Sequence, residues 1–141
     1  IKIALNQSLR VILCVGEPLE VRRKGLSAAK NFVKSQLRKD LKNIHMLKAI
    51  SSKLIIAYEP IWATGTGKPD KPEDTAAMSS FIKKFCASRF ALRDLRILYG
   101  GSVTSKNIGR ILEYNEIDGA LVGGASLSAK EFGKIVKIAE R

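Results

Sequence analysis

Sulfur, indole and imidazole are all scarce in this chain: its 141 residues include two Cys, two Met, one Trp and one His. Cys14 and Cys86 are too few for a disulfide scaffold, and no Cys/His cluster has metal-ligand spacing. A zinc module is therefore excluded, no metal site is expected, and a reducing, cytoplasmic setting is the default. Nothing approaches the run of about 20 apolar residues needed to cross a bilayer, so no membrane partner is expected. There is no signal-peptide pattern, the first residue is Ile1, and Ile1-Lys2-Ile3-Ala4-Leu5 reads as the middle of a helix. The chain accordingly reads as cut from a longer one. Acidic residues are also few: 13 Asp+Glu face 25 Lys+Arg, a formal charge of +12. With 45% hydrophobic residues, 11 Gly and 4 Pro, the composition is globular and excludes a wholly disordered or collagen-like chain.

So basic a balance favours anionic partners of some kind, whether nucleic acid or a phosphorylated small molecule. Its distribution is less specific. Lys30, Lys34, Arg38 and Lys42 recur at helical spacing, as on a solvated helix face, and no aromatics are interleaved with them for base stacking. A basic nucleic-acid-binding fragment is an alternative resting on charge alone.

Four apolar runs, Val11 to Val15, Leu54 to Tyr58, Leu95 to Tyr99 and Ala120 to Val122, are continuous rather than alternating. That is the pattern of parallel strands buried on both faces. Helical patterns separate them. One runs from Leu26 to Ile44 with Phe32, Val33, Leu37 and Leu41 apolar. A second runs from Glu73 to Phe90 with Ala77, Phe81, Ile82 and Phe85 on one face. Thr104 is the expected N-cap of a third, through Ile108, Ile111 and Leu112. Ser128 to Glu131 fits a capping box ahead of a fourth. Strand and helix thus alternate four times, which predicts an α/β fold with right-handed crossovers and no internal domain boundary over residues 1–141. Each strand is followed by glycine: Gly16, Gly65 and Gly67, Gly100 and Gly101, Gly123 and Gly124. In parallel α/β folds, ligands bind at these C-terminal strand ends.

The most informative run is Ala57-Tyr58-Glu59-Pro60-Ile61-Trp62-Ala63-Thr64-Gly65-Thr66-Gly67-Lys68. It places a carboxylate at the end of a buried strand, where a general base is well situated. Pro60 stiffens the entry to a loop suited to moving as a lid. A glutamate in such a place is, taken alone, an ordinary loop residue. Gly65-Thr66-Gly67-Lys68 lacks P-loop spacing, which argues against nucleotide binding. Tyr99-Gly100-Gly101-Ser102-Val103 and the Gly123-Gly124 pair follow the next two strands. Main-chain amides in such loops suit a phosphate, and two pairs on successive strands suggest convergence on one anion.

Together with Cys14-Val15-Gly16-Glu17 and Asp118-Gly119-x-Leu121-Val122-Gly123-Gly124-Ala125-Ser126-Leu127, these runs resemble the triosephosphate isomerases, in the family's order and from end to end of the chain. The resemblance implies a TIM (β/α)8 barrel, of which this chain covers about the C-terminal half, four βα units from strand five to helix eight. It implies interconversion of dihydroxyacetone phosphate and glyceraldehyde 3-phosphate, in glycolysis and gluconeogenesis, by a cytoplasmic homodimer without cofactors. Glu59 matches the catalytic base, and Gly65, Ser102, Gly123 and Gly124 match the phosphate-binding positions. Pro60, Ile61, Trp62, Thr64, Thr66 and Gly67 match the lid and its hinges. Glu17 matches the partner of Trp62, and Tyr99 a residue holding the closed lid. Cys14 matches a residue packed beside the base, and Leu121 one that covers it. Thr64 departs from the family's bulky aliphatic lid tip. The family's Asn-x-Lys strand end and electrophilic His fall outside this chain; His45 does not match that His in position and reads as a surface residue. The chain alone is therefore expected to be inactive, and a non-catalytic phosphate-binding half-barrel is the second alternative.

Overall fold

The computed structural model describes residues 1–42, 44, 53–67 and 69–140; His45 and Lys68 lie outside them. After a short helix α1 (Lys2–Asn6) come β1 (Val11–Val15), α2 (Leu19–Arg22) and α3 (Leu26–Asp40). Then follow β2 (Leu54–Tyr58), α4 (Pro72–Phe90), β3 (Arg96–Tyr99), α5 (Ile108–Ile111), β4 (Gly119–Ala120) and α6 (Ala129–Ala139). The strands form one parallel sheet in sequential order, β1-β2-β3-β4. Sequential order in a parallel sheet requires a crossover after each strand, and the helices supply them.

The core lies between the sheet and the helices. Ala29, Val33, Leu37 and Leu41 are fully buried against Leu54, Ile56, Ile82 and Ile97 in one apolar cluster. Truncating a residue such as Leu37 to Ala removes that packing, at a cost of about 2–5 kcal/mol. Helix α4 begins with Pro72 and has Glu73 and Asp74 in its first turn, where the helix dipole favours acids; it ends with Ala91 at φ 58°. β2 is buried almost throughout, whereas β1 alternates, with Ile12 and Cys14 exposed. The first strand therefore departs from the expectation of burial on both faces: it is an edge of the sheet, and its face bearing Ile12 and Cys14 is left open.

Four local expectations are corrected. β4 pairs only at Gly119 and Ala120 rather than from Ala120 to Val122, because the chain turns off into the glycine loop. Thr104 is not an N-cap: α5 starts at Ile108, and the Asn107 Oδ1 instead accepts from the Thr104 N–H at 2.8 Å. Ser128 does cap α6 by accepting from Glu131 N at 3.3 Å, but the Glu131 carboxylate reaches Ser105 N at 2.7 Å, not back to Ser128. On α4 the buried face runs through Thr75, Met78, Ser79, Ile82 and Cys86 rather than Ala77, Phe81 and Phe85. Phe81 and Phe85 face α3, where Lys30, Lys34 and Arg38 place their charges 5.8–6.0 Å from the ring centroids. Most of the basic stripe is thus a cation–π seam between two helices, each such contact worth about 0.5–1 kcal/mol when exposed.

Candidate active site

Strand register builds the site. Val15 pairs with Tyr58, Tyr58 with Tyr99, and Tyr99 with Ala120, so the four strands end in one line. The ladder continues one step further: Glu59 N donates to Val15 O, Gly100 N to Tyr58 O and Leu121 N to Tyr99 O, each at 2.8 Å. Gly16, Glu59, Gly100 and Leu121 therefore stand in a row, and Glu59 is its only ionisable side chain. Both flanking glycines are demanded by Glu59. A Cβ on Gly16 would collide with the Glu59 carbonyl, and one on Gly100 with the Glu59 side chain. The Cys14 thiol sits beside the same carboxylate; partial desolvation first, then its hydrogen bond to Glu59 and the charge there, pushes it up to about 11. A neutral, unreactive thiol follows.

The loop after β2 lies down over this row. Thr64 N and the Thr64 hydroxyl both donate to Pro60 O, at 3.1 and 3.0 Å, closing a tight turn. The Thr64 hydroxyl is thereby satisfied within the loop and is not spent on solvent near the base. Ser102 latches the loop: its hydroxyl donates to Ala63 O at 2.7 Å and accepts from Gly67 N at 3.0 Å. Gly65 and Gly67 have φ of 69° and 73°, the left-handed region that admits glycine at least cost. At the far end Asp70 N donates to the Tyr99 hydroxyl at 3.1 Å. Gly101 lets that ring in, since a Cβ there would strike it. At the near end Trp62 Nε1 donates to Glu17 Oε1 at 3.2 Å, and Ile61 N donates to Glu17 O at 3.1 Å.

Beneath the loop is a cavity of about 470 Å³ lined by Glu59, Thr64, Gly65, Ser102, Leu121, Gly123 and Gly124 among others. Three glycine-bearing loops converge on it from successive strands. Added Cβ atoms at Gly65, Gly123 and Gly124 would meet no neighbouring atom within 4 Å. These positions front open space, where a ligand can approach the main chain closely.

Sequence reasoning paired Glu17 with Trp62 but overlooked the rest of the polar cluster beside the lid, formed by Tyr58, Asp70 and Arg22. Glu17 is fully buried and accepts from the Tyr58 hydroxyl, 3.1 Å from both carboxylate oxygens. Burial and the Glu17 charge hold that phenol well above its ordinary range. Asp70, also buried, is pushed up to about 6 by burial, against the opposing pull of Arg22. Arg22 links these groups and stacks over Trp62, 5.5 Å from the ring centroid. No motif announced it, because its partners lie some 50 positions away, at Asp70 and Asp74.

Four parallel βα units ending in one row, with a lid and a glycine-lined cavity at the strands' C-terminal end, define half of a TIM barrel. Residues 1–139 match the triosephosphate isomerase family. The chain is 47% identical to triosephosphate isomerases of Finegoldia magna and Thermus thermophilus, over 94% and 96% of its own length. It superposes on the crystal structure of the Bartonella henselae triosephosphate isomerase with TM-score 0.83 and 33% identity, covering 99% of this chain. The chain belongs to the triosephosphate isomerase family. It spans about half the length of the relatives it matches: 53% and 54% of the first two and 54% of the third.

Proposed function

We propose that this chain supplies the base, lid and phosphate grip of a triosephosphate isomerase. The Glu59 carboxylate removes a proton from the carbon next to the carbonyl of a triose phosphate. It returns that proton to the neighbouring carbon once an enediolate has formed, interconverting dihydroxyacetone phosphate and glyceraldehyde 3-phosphate. One well-placed carboxylate acting in turn as base and acid contributes about 10²- to 10⁴-fold. No cofactor is needed for this proton transfer. The developing oxyanion requires donors that the family resemblance puts in the half-barrel preceding this one; such stabilisation is worth about 10²- to 10³-fold per donor. Gly65, Gly123, Gly124 and Ser102 hold the phosphate, Ser102 through its main-chain N–H because its hydroxyl is engaged with the lid. The lid from Pro60 through Gly67, with Leu121 opposite Thr64, keeps water from the enediolate. Membership of a homodimeric, cytoplasmic enzyme of glycolysis and gluconeogenesis follows from the same reading, with neither nucleic acid nor membrane as partner.

The observation that carries this reading is the Glu59 side chain lying against Gly100, where a Cβ would displace it, at the wall of a cavity fronted by the open glycines Gly65, Gly123 and Gly124. The test uses a complete barrel, this chain joined to the N-terminal half of the Thermus thermophilus relative. Glu59→Gln should abolish most turnover while leaving affinity for a phosphorylated enediolate analogue within an order of magnitude. Unchanged turnover would remove Glu59 from the chemistry. A parent barrel that binds the analogue but turns nothing over would favour the non-catalytic half-barrel.

A further inference from the structure

One guanidinium stands against both ends of the lid. Arg22 Nη2 donates to Asp70 Oδ1 at 2.9 Å and to Asp74 Oδ2 at 2.6 Å. Asp70 anchors the chain just beyond the lid, its main-chain N–H on the Tyr99 hydroxyl, and its carboxylate also accepts from Lys71 N at 2.8 Å and Thr75 Oγ1 at 3.3 Å. The same guanidinium covers the Trp62 ring at the lid's start, and its Nη1 lies 3.8 Å from Glu17 Oε1, the oxygen that accepts from Trp62. That Nη1 is buried and has no hydrogen-bond partner among the described residues. An idle buried donor is costly, and here it faces a fully buried carboxylate. Arg22 is thus held in one place by contacts to both ends at once, so losing its partner at one end frees it to leave the other.

We propose that Arg22 is a positioning residue that couples the two hinges of the lid, so that the Trp62 end and the Asp70 end are laid down and lifted together. The proposal rests on reading Pro60 through Gly67 as a lid over Glu59, with Asp70 anchoring the chain beyond its far end. Coupling of this kind follows from geometry: Arg22 contacts both ends, whereas no hydrogen bond or ion pair among the described residues joins Asp70 directly to Trp62. Two hinges that move as one close the cavity in a single step instead of passing through a half-open, wet state.

The test perturbs one hinge and reads the other. Trp62 is the chain's sole tryptophan, so the complete barrel is made with Phe at every tryptophan position of its other half. Asp70→Asn should then raise acrylamide quenching of Trp62 and red-shift its emission. The lid-opening constant derived from these readings should rise by about fivefold or more, the lower range for coupled sites. In an Arg22→Met background the same Asp70→Asn change should leave Trp62 unmoved. Arg22→Lys, which keeps the charge but cannot reach both ends, gives a milder second background in which the effect should shrink. Trp62 indifferent to Asp70→Asn, or equally responsive with and without Arg22, would overturn the coupling. Isomerase activity is measured separately: an active enzyme with uncoupled hinges sinks this proposal alone, and an inactive parent barrel sinks the functional reading.

Discussion

Gly100→Ala separates the placement of the base from the stability of the fold. Gly100 is not among the glycines at positive φ, so alanine suits its backbone. The added Cβ would collide with Glu59 Cγ and lie 3.1 Å from both Cδ and Oε1. Ordinary contact needs about 3.4–4 Å, and the atoms in the way belong to a side chain that can rotate. The fold should therefore lose little, about 1 kcal/mol or less, the cost of one off-rotamer side chain. The carboxylate, however, must swing by roughly 1 Å, a displacement that can cost about 10²-fold in rate. That corresponds to about 2.7 kcal/mol on the barrier. Steady-state kinetics of the complete barrel should show kcat falling by about this factor, with KM nearly constant because the phosphate loops are untouched. Thermal unfolding run in parallel checks the fold. Gly16→Ala is the contrasting control: its Cβ meets the Glu59 main chain, so it should impair folding itself. A Gly100→Ala enzyme with wild-type kcat would refute the reasoning, since Glu59 would then tolerate displacement.

Other expectations follow from the same geometry. Ser102→Ala removes both lid latches, so kcat/KM should fall and the lid amides near Gly67 should exchange hydrogen faster; unchanged exchange would deny the latch. Asp70 in the free chain titrates at 3.8 but at about 6 when folded. The folded state thus holds the proton more tightly, and this group's stabilisation is full below pH 3.8 and lost as pH rises through 6. Over roughly 2 units this amounts to about 3 kcal/mol. Chemical denaturation of the complete barrel at pH 4 and pH 7 should therefore show Asp70→Asn gaining on the parent as pH rises, and a constant difference would contradict the burial argument. Finally, the 141-residue chain alone exposes Ile12 and Cys14 on its inner face and ends its sheet at β1 and β4. Open edges and bare apolar faces promote association. Sedimentation should find oligomers and assays no isomerase activity; a cooperative, active monomer would overturn the half-barrel account.

The alternation of strand and helix, the glycine at each strand's end and the carboxylate before Pro60 were all written locally. Continuous runs such as Leu54 to Tyr58, alternating with helical patterns, suit burial in a parallel sheet. Periodicity served less well where burial is shared between helices. Phe81 and Phe85 look like core on their own helix but lie under Lys30, Lys34 and Arg38 of another. The end of β4 and the start of α5 were likewise decided by loops that turn where their hydrogen bonds take them. Only pairing in space set Gly16, Glu59 and Gly100 in one row, so that Gly16 makes room for the main chain at Glu59 and Gly100 for its side chain. Only packing brought Arg22 against Glu17, Trp62, Asp70 and Asp74, because a guanidinium reads charge and distance, and neither is recorded in the order of residues along a chain.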